Sequence, residues 1–274
     1  MRMSAHTNFK TVSEQHFSCY LDEHRYAWTY EPQIEGKRKK PDFLACRDGV
    51  EFLCDTKERS PKAAPPGARH FDPIQPVRRL IDEGRLKFKE FAERLCILAA
   101  YNNGDCDARL DTTCIFGAML GDPGFTLDFD PESGTCDPYS TQNVFLERGG
   151  RMIRHYKPLE PRESPNNLSA VVALTSYRVP NPAFQRAFVE EEEIQRQQKG
   201  QDLTTHEKLE ITYKLLQSMR MTLRETPKVV VCINPFARHP LPDRLFDGPY
   251  DERWAIQNGT LQQVFAGAEL KPEE

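Results

Sequence analysis

The sequence predicts an α/β fold, a mixed sheet flanked by helices with C-terminal elaborations, on three observations. Residues 42–57 divide into two apolar-rich runs about Asp48-Gly49, the favoured dipeptide for a two-residue hairpin turn. Helical spacings bracket that hairpin, with Phe17 and Leu21 before it and Leu80, Phe88, Phe91 and Leu95 after it. The apolar run from Cys96 to Tyr101 then reads as a buried strand. Helix, strands, helix, strand is an order that lays helices against a sheet.

Taken in order, a helix is expected over residues 13–24. Glu14, Phe17 and Leu21 fall on one stripe of it, spaced by three and four, whereas Glu23 lies off the stripe. A strand ends at Tyr30-Glu31-Pro32, followed by a basic loop, Lys37-Arg38-Lys39-Lys40, and then the hairpin. Residues 59–76 are rich in Pro and Ala and read as a loop, from which His70 and Asp72 are within reach of the hairpin. The next helix spans 77–95, interrupted by Gly84 at a modest cost, and carries Arg78, Arg79, Arg85, Lys87 and Lys89. Residues 102–165 read as irregular with a few short strands; Asp128 and Asp130 alternate on one of them.

Regular patterning returns at residue 168. A strand is expected over 168–179 and a helix over 182–198. Thr204 to Glu207 has capping-box form and starts a second helix ending near Arg224, and 228–233 is a β-branched central strand. The tail after it mixes Pro, aromatic and charged residues and is expected to close the core, although Arg238, His239, Arg253 and Trp254 have the chemistry to meet nucleic acid. One elaborated domain over 1–274 is expected, with a core at about 10–101 and an extension at about 102–274.

Composition narrows the class. With 38% hydrophobic and 28% charged residues and no apolar run of membrane-spanning length, the chain reads as soluble, and its first ten residues lack the apolar core of a signal peptide, so a cytoplasmic location is expected. The eight cysteines form no CxxC pair and sit largely in apolar runs, as small buried hydrophobes of a reducing compartment do; a zinc site from Cys106, Cys114 and Cys136 lacks recognised spacing. A net charge of −4 argues against non-specific coating of nucleic acid but leaves room for a local basic groove. There is no GxSxG elbow and no P-loop, which removes the serine-hydrolase and NTP-driven readings.

The chemistry centres on the hairpin. Side chains two apart on a strand share a face, so Asp55 and Lys57 point one way while Val50, Phe52 and Cys54 point the other. Folding the hairpin back brings Asp42 beside Asp55. Two hard oxygen ligands then converge on one Mg²⁺, with Mn²⁺ as an alternative, while Lys57 orients the attacking water or steadies developing charge on a phosphodiester. Glu14, a carboxylate in a core-facing stripe, is the candidate third acid. Lys37, Arg38, Lys39 and Lys40, with Arg78, Arg85 and Lys87, are candidate phosphate contacts, making binding salt-dependent.

Pro41-Asp42, twelve intervening residues and Asp55-Thr56-Lys57 together resemble the PD-(D/E)xK nuclease superfamily. That superfamily includes restriction-endonuclease-like folds and the end-cleaving endonuclease of some transposons. The resemblance spans roughly residues 10–101 and implies a restriction-endonuclease-like core of helix, three-strand meander, helix and strand. It further implies a Mg²⁺-dependent phosphodiesterase, an endonuclease rather than an exonuclease, acting on DNA in a mobile-element or defence setting without nucleotide or organic cofactors. Asp42, Asp55 and the Thr56 carbonyl would hold metal, Glu14 would stand for the glutamate of the preceding helix, and Lys57 would be the motif lysine. Relatives often act as dimers, so a second copy or a protein partner is a further expectation. The alternative is a catalytically inert module that keeps the fold to bind nucleic acid or for a structural role.

Overall fold

A computed structural model describes residues 8–61, 72–105, 108–121, 123–130, 135–145, 167–180, 182–218, 223–257 and 260–268, with side chains described except at 123–145, 180, 182, 185, 223 and 224. In chain order the elements are α1 (Val12–Glu23), β1 (Ala27–Tyr30), β2 (Phe43–Arg47), β3 (Val50–Arg59), α2 (Ile74–Phe88), β4 (Cys96–Asn102) and α3 (Thr112–Leu120). They continue as β5 (Pro123–Asp130), β6 (Thr135–Phe145), β7 (Leu168–Pro180), α4 (Pro182–Lys199), α5 (Thr205–Ser218), β8 (Leu223–Ile233), β9 (Glu252–Gln257) and β10 (Thr260–Ala266). Eight strands form one mixed sheet in the order β1-β2-β3-β4-β7-β8-β9-β10, and β5 pairs with β6 separately. The α/β class is therefore as the patterning predicts.

Local chemistry explains the site-bearing strands. Asp48 and Gly49 both adopt left-handed φ, 50° and 78°, the backbone of a two-residue turn whose twist matches the strands it joins. That turn pairs Arg47 with Val50 and, four steps on, Phe43 with Cys54. β3 is antiparallel to β2 and parallel to β4, so it lies inside the sheet and is buried without interruption from Phe52 to Thr56.

Each face of the sheet carries its own core. On one, Phe17, Tyr20 and Leu21 of α1 pack with Phe43, Phe52, Cys54, Ile97 and Val172. On the other, Val77, Leu80, Ile81 and Phe88 of α2 pack with Leu53, Leu98, Val171 and residues of α3. Thr11 caps α1 reciprocally with Glu14, each backbone N–H meeting the other's side-chain oxygen.

Gly84 sits where α2 comes closest to β4: a Cβ there would lie 3.0 Å from Leu98 Cδ1. The missing side chain lets the helix lie down on the sheet and brings its last turn, with Lys87, over the ends of β2 and β3. Gly84→Val is expected to lower the free energy of unfolding by about 1–3 kcal/mol in urea titrations, as overpacking does. Gly84→Ala should be near neutral, since the flexible Leu98 side chain yields and Ala favours helix. A Gly84→Val variant as stable as wild type would contradict this packing.

The chain divides into two compact units, Met1–Thr175 with Pro227–Glu274, and Ser176–Thr226. The second holds α4, α5 and the adjoining parts of β7 and β8. Within it α5 starts as its sequence implies, Glu207 Oε2 accepting from Thr204 N at 2.7 Å and Thr204 Oγ1 from Glu207 N at 3.3 Å.

Several elements differ from expectation. Residues 112–120 are a fully developed helix, not part of an irregular stretch: Asp111 caps it through Cys114 N at 2.9 Å, and burial of nearly every residue erases the periodicity that marks a surface helix. α2 stops at Phe88 rather than running to 95. α5 stops at Ser218, and β8 begins at Leu223, so no helix reaches Arg224. The tail is more than closure, since β9 and β10 add two strands to the sheet. Its loop is fixed by Asp251, which accepts from Tyr20 Oη at 2.5 Å, Gly248 N at 2.7 Å and Val229 N at 3.0 Å.

Candidate active site

The register of the hairpin builds the site. Continuing the β2–β3 ladder one step past Phe43–Cys54 places Asp42 opposite Asp55, and opposite residues share a face. Both carboxylates meet on the α2 side, where Lys87 Nζ donates to Asp42 Oδ1 at 2.9 Å and to Asp55 Oδ1. Lys57, two residues along β3 from Asp55, lies 2.9 Å from Asp55 Oδ2 through its own Nζ. Asp42 Oδ2 accepts from Thr56 N at 2.7 Å and from Thr56 Oγ1 at 3.0 Å. Two acids and two ammonium groups thus form one neutral cluster.

Burial sets the electrostatics. Asp55 is fully buried; that burial and the neighbouring Asp42 charge push its pKa up to about 6 against the pull of Lys87 and Lys57. Burial works to raise Asp42 as well, but the Lys87 charge and the Thr56 N–H outweigh it and hold Asp42 below the usual carboxylate range. The asymmetry follows from burial and partners: the Asp55 side chain is fully buried whereas that of Asp42 keeps 16% exposure, and Asp42 also accepts a backbone N–H from Thr56. Burial pulls the Lys87 ammonium down, yet the two carboxylates more than reverse it and keep it charged. At an effective dielectric of about 20, a pair in contact gains roughly 4 kcal/mol, while desolvating each ion costs several. The quartet therefore adds little net stability.

Not every expected residue joins the cluster. Glu14 is buried, as its stripe requires, but its carboxylate accepts from Lys10 N, Thr11 N and Tyr30 Oη at 2.5, 3.1 and 2.9 Å. It closes the capping box of α1, and no hydrogen bond or ion pair joins it to Asp42 or Asp55 among the described residues. Three acids around one point are thus reduced to two, and no group of three or more His, Cys, Asp or Glu side chains suited to a metal occurs among the described residues.

The basic residues separate into two kinds. Lys37, Arg38, Lys39 and Lys40 are all exposed, and their loop is clasped to the end of α2: Arg38 N and Lys39 N donate to Glu90 Oε2 at 3.0 and 3.4 Å, and Lys39 Nζ donates to the Leu86 carbonyl. Arg78, expected as a phosphate contact, is buried instead, and Arg85 lies half-buried 4.0 Å from Asp82. Lys87 turns inward to the carboxylates, a role its place among surface phosphate contacts did not anticipate. The inner stripe of α2 is wide enough, from Val77 and Arg78 to Gly84 and Phe88, to draw in its flanking cations.

Other candidates resolve as structural or fall outside what is described. Asp72 Oδ1 accepts from Ile74 N and Gln75 N at the start of α2. Arg253 is buried against Asp243, Trp254 Nε1 donates to Glu252, and His239 Nε2 lies 2.8 Å from the Ala92 carbonyl oxygen. His70, Cys106 and the side chains of Asp128, Asp130 and Cys136 lie outside the described residues. Cys54, Cys96, Cys114 and Cys232 are buried, and burial pushes the Cys96 thiol up to about 12, which leaves it unreactive near neutral pH.

The donor set fits a hard divalent cation in type and charge. Two carboxylate oxygens from different strands already converge on one cationic atom, and a carboxylate pair suits Mg²⁺ or Mn²⁺ rather than a thiophilic metal. Comparison with protein-family models, curated proteins and solved structures returns no match to this chain. Among the described residues, no helix is long and apolar enough to cross a membrane.

Proposed function

We propose that the protein is a metal-dependent nuclease of PD-(D/E)xK type with a restriction-endonuclease-like core, hydrolysing phosphodiester bonds in DNA. The observation that carries this reading is the convergence of Asp42 and Asp55 on a single cationic position with Lys57 at its side. The order α1, β1-β2-β3, α2, β4 is the one that the resemblance implies, and it supports the same assignment.

Asp42 and Asp55 would hold a divalent ion together with the Thr56 carbonyl. Bound there, the ion supplies charge neutralisation for a scissile phosphate and lowers the pKa of a coordinated water. Lys57 would orient the attacking water and offset charge that develops on the phosphate oxygens. Thr56 anchors Asp42 through its N–H and hydroxyl, fixing the carboxylate before substrate arrives. The exposed Lys37 to Lys40 loop, immediately upstream of Asp42, would contact the phosphates flanking the cut. A cytoplasmic setting belongs to the same proposal.

A second reading has one observation in its favour. The Lys87 ammonium already bonds both carboxylates and, together with Lys57, balances their charge, as in an inert module of the same fold that binds nucleic acid or serves a structural role. Supercoiled, linear and single-stranded substrates incubated with and without Mg²⁺ separate the two: cleavage that requires Mg²⁺ supports the nuclease, and intact substrates under every condition support the inert module.

Proton and metal compete for Asp55, which gives the site a pH signature. With its pKa near 6 in the metal-free protein, Asp55 is ionised above that value and increasingly protonated below it. Apparent Mn²⁺ affinity measured by calorimetry should be level above about pH 6 and fall about tenfold per unit below it. Affinity that stays constant from about pH 5 to 7 would show that no proton on Asp55 competes with the metal in that range.

A further inference from the structure

Each carboxylate in the cluster has one oxygen already assigned and one that faces its neighbour. Asp42 Oδ2 accepts two hydrogen bonds from Thr56, and Asp55 Oδ2, which accepts no hydrogen bond, faces the Lys57 ammonium in an ion pair at 2.9 Å. The remaining oxygens, Asp42 Oδ1 and Asp55 Oδ1, are the ones a bridging cation would use, and both are bonded to Lys87 Nζ. An ammonium and a divalent ion cannot share that position.

We propose that Lys87 is the resident counter-ion of the Asp42–Asp55 pair, and that a divalent cation takes the two carboxylates only as Lys87 leaves them. The inference rests on the nuclease reading and names a residue that controls metal loading at the same site. Two observations make departure feasible. Lys87 sits in the last turn of α2, and its side chain retains 21% exposure, so the ammonium borders solvent rather than being sealed in. Its four-carbon stem carries a point charge with no fixed fork, so it swings out by rotamer change without moving the helix.

Until then Lys87 does work that the sheet cannot. Two carboxylates placed opposite each other repel, and the ammonium holds them in register for the incoming ion. The cost is competition: the metal must displace a charged partner, which weakens its apparent binding and raises the concentration needed to load the site.

Calorimetric titration of the full chain with Mn²⁺ tests this. Lys87→Met removes the charge while keeping the stem and should bind Mn²⁺ at least tenfold more tightly than wild type; Lys87→Arg keeps a cation and should bind no more tightly than wild type. If wild type binds Mn²⁺ and Lys87→Met binds no better, the displacement is wrong while the two-carboxylate site stands. If neither binds, both fail. Because Lys87→Met leaves two acids facing each other and is at risk of misfolding, ¹⁵N-lysine spectra of wild type provide an independent readout. The Lys87 ammonium signal should move to the position of solvated lysines as Mg²⁺ saturates the protein; a signal unchanged at saturation overturns the proposal.

Discussion

Asp55→Asn is expected to reduce Mg²⁺-dependent cleavage of supercoiled DNA by about 10²–10³-fold, the scale seen when a preorganised electrostatic contact to the reacting group is removed. The substitution preserves shape and removes only charge, so the strand should keep its place between β2 and β4. Asp55 is fully buried and its ionisation opposes burial, so losing the charge removes a desolvation cost while depriving Lys57 and Lys87 of a partner. These effects oppose each other, and the thermal midpoint should move by no more than a few degrees, as for single changes whose terms nearly cancel. Loss of cutting with a retained cooperative melt is the expected pair of results. Cutting at the wild-type rate would remove Asp55 from the chemistry.

Lys57→Ala should separate catalysis from metal binding. Lys57 reaches Asp55 Oδ2, not the oxygens that face Asp42, so its removal leaves the bridging position intact. Turnover should fall by about 10²–10⁴-fold, the range for a positioned group acting on a proton or charge in the transition state. Mn²⁺ affinity should stay within about threefold of wild type, far short of the tenfold that 1.4 kcal/mol represents. A variant that cuts normally would make Lys57 a structural partner of Asp55, and one that loses metal as completely as Asp55→Asn would merge the two roles.

The pairing of the acids was legible because a single dipeptide determines it. Once Asp48-Gly49 closes a two-residue turn, partners across the hairpin have numbers that sum to a constant, and Asp42 must face Asp55. Nothing comparable located Lys87. It comes from another element, and its role depends on how closely α2 approaches β4, which Gly84 decides. A signal was present all the same: Lys87 lies three residues after Gly84 and seven after Leu80, on the inner side of an amphipathic helix, where a cation needs an acidic partner.

Glu14 shows the opposite failure. Its place on the α1 stripe correctly predicts burial, and burial suggested a functional carboxylate. Thr11-Val-Ser-Glu14 is also a capping-box sequence, and that local demand accounts for the side chain: its carboxylate serves the helix N-terminus and Tyr30. The two readings compete for the same oxygen atoms, and the nearer partner prevails.

Elements lacking an exposed face were the hardest to see. α3 is buried almost all round, so its apolar run carries no period, and only its boundaries were marked, by Asp111 at its start and by Gly121 and Pro123 after its end. β9 and β10 escape for a different reason. Their residues mix Arg, Trp, Gln and Glu, and β9 joins the sheet beside β8 through a loop held by Asp251, Tyr20 and Tyr26, contacts spanning more than two hundred residues of sequence.

Anomalous diffraction from crystals of the wild-type protein grown with Mn²⁺ tests the central claim most directly. The account predicts a peak bonded to Asp42 Oδ1 and Asp55 Oδ1 at about 2.0–2.2 Å, the range for a small divalent ion on oxygen ligands, with the Lys87 ammonium withdrawn from both. A peak bonded to neither carboxylate, or none there at saturating Mn²⁺ with Lys87 still between them, would contradict it.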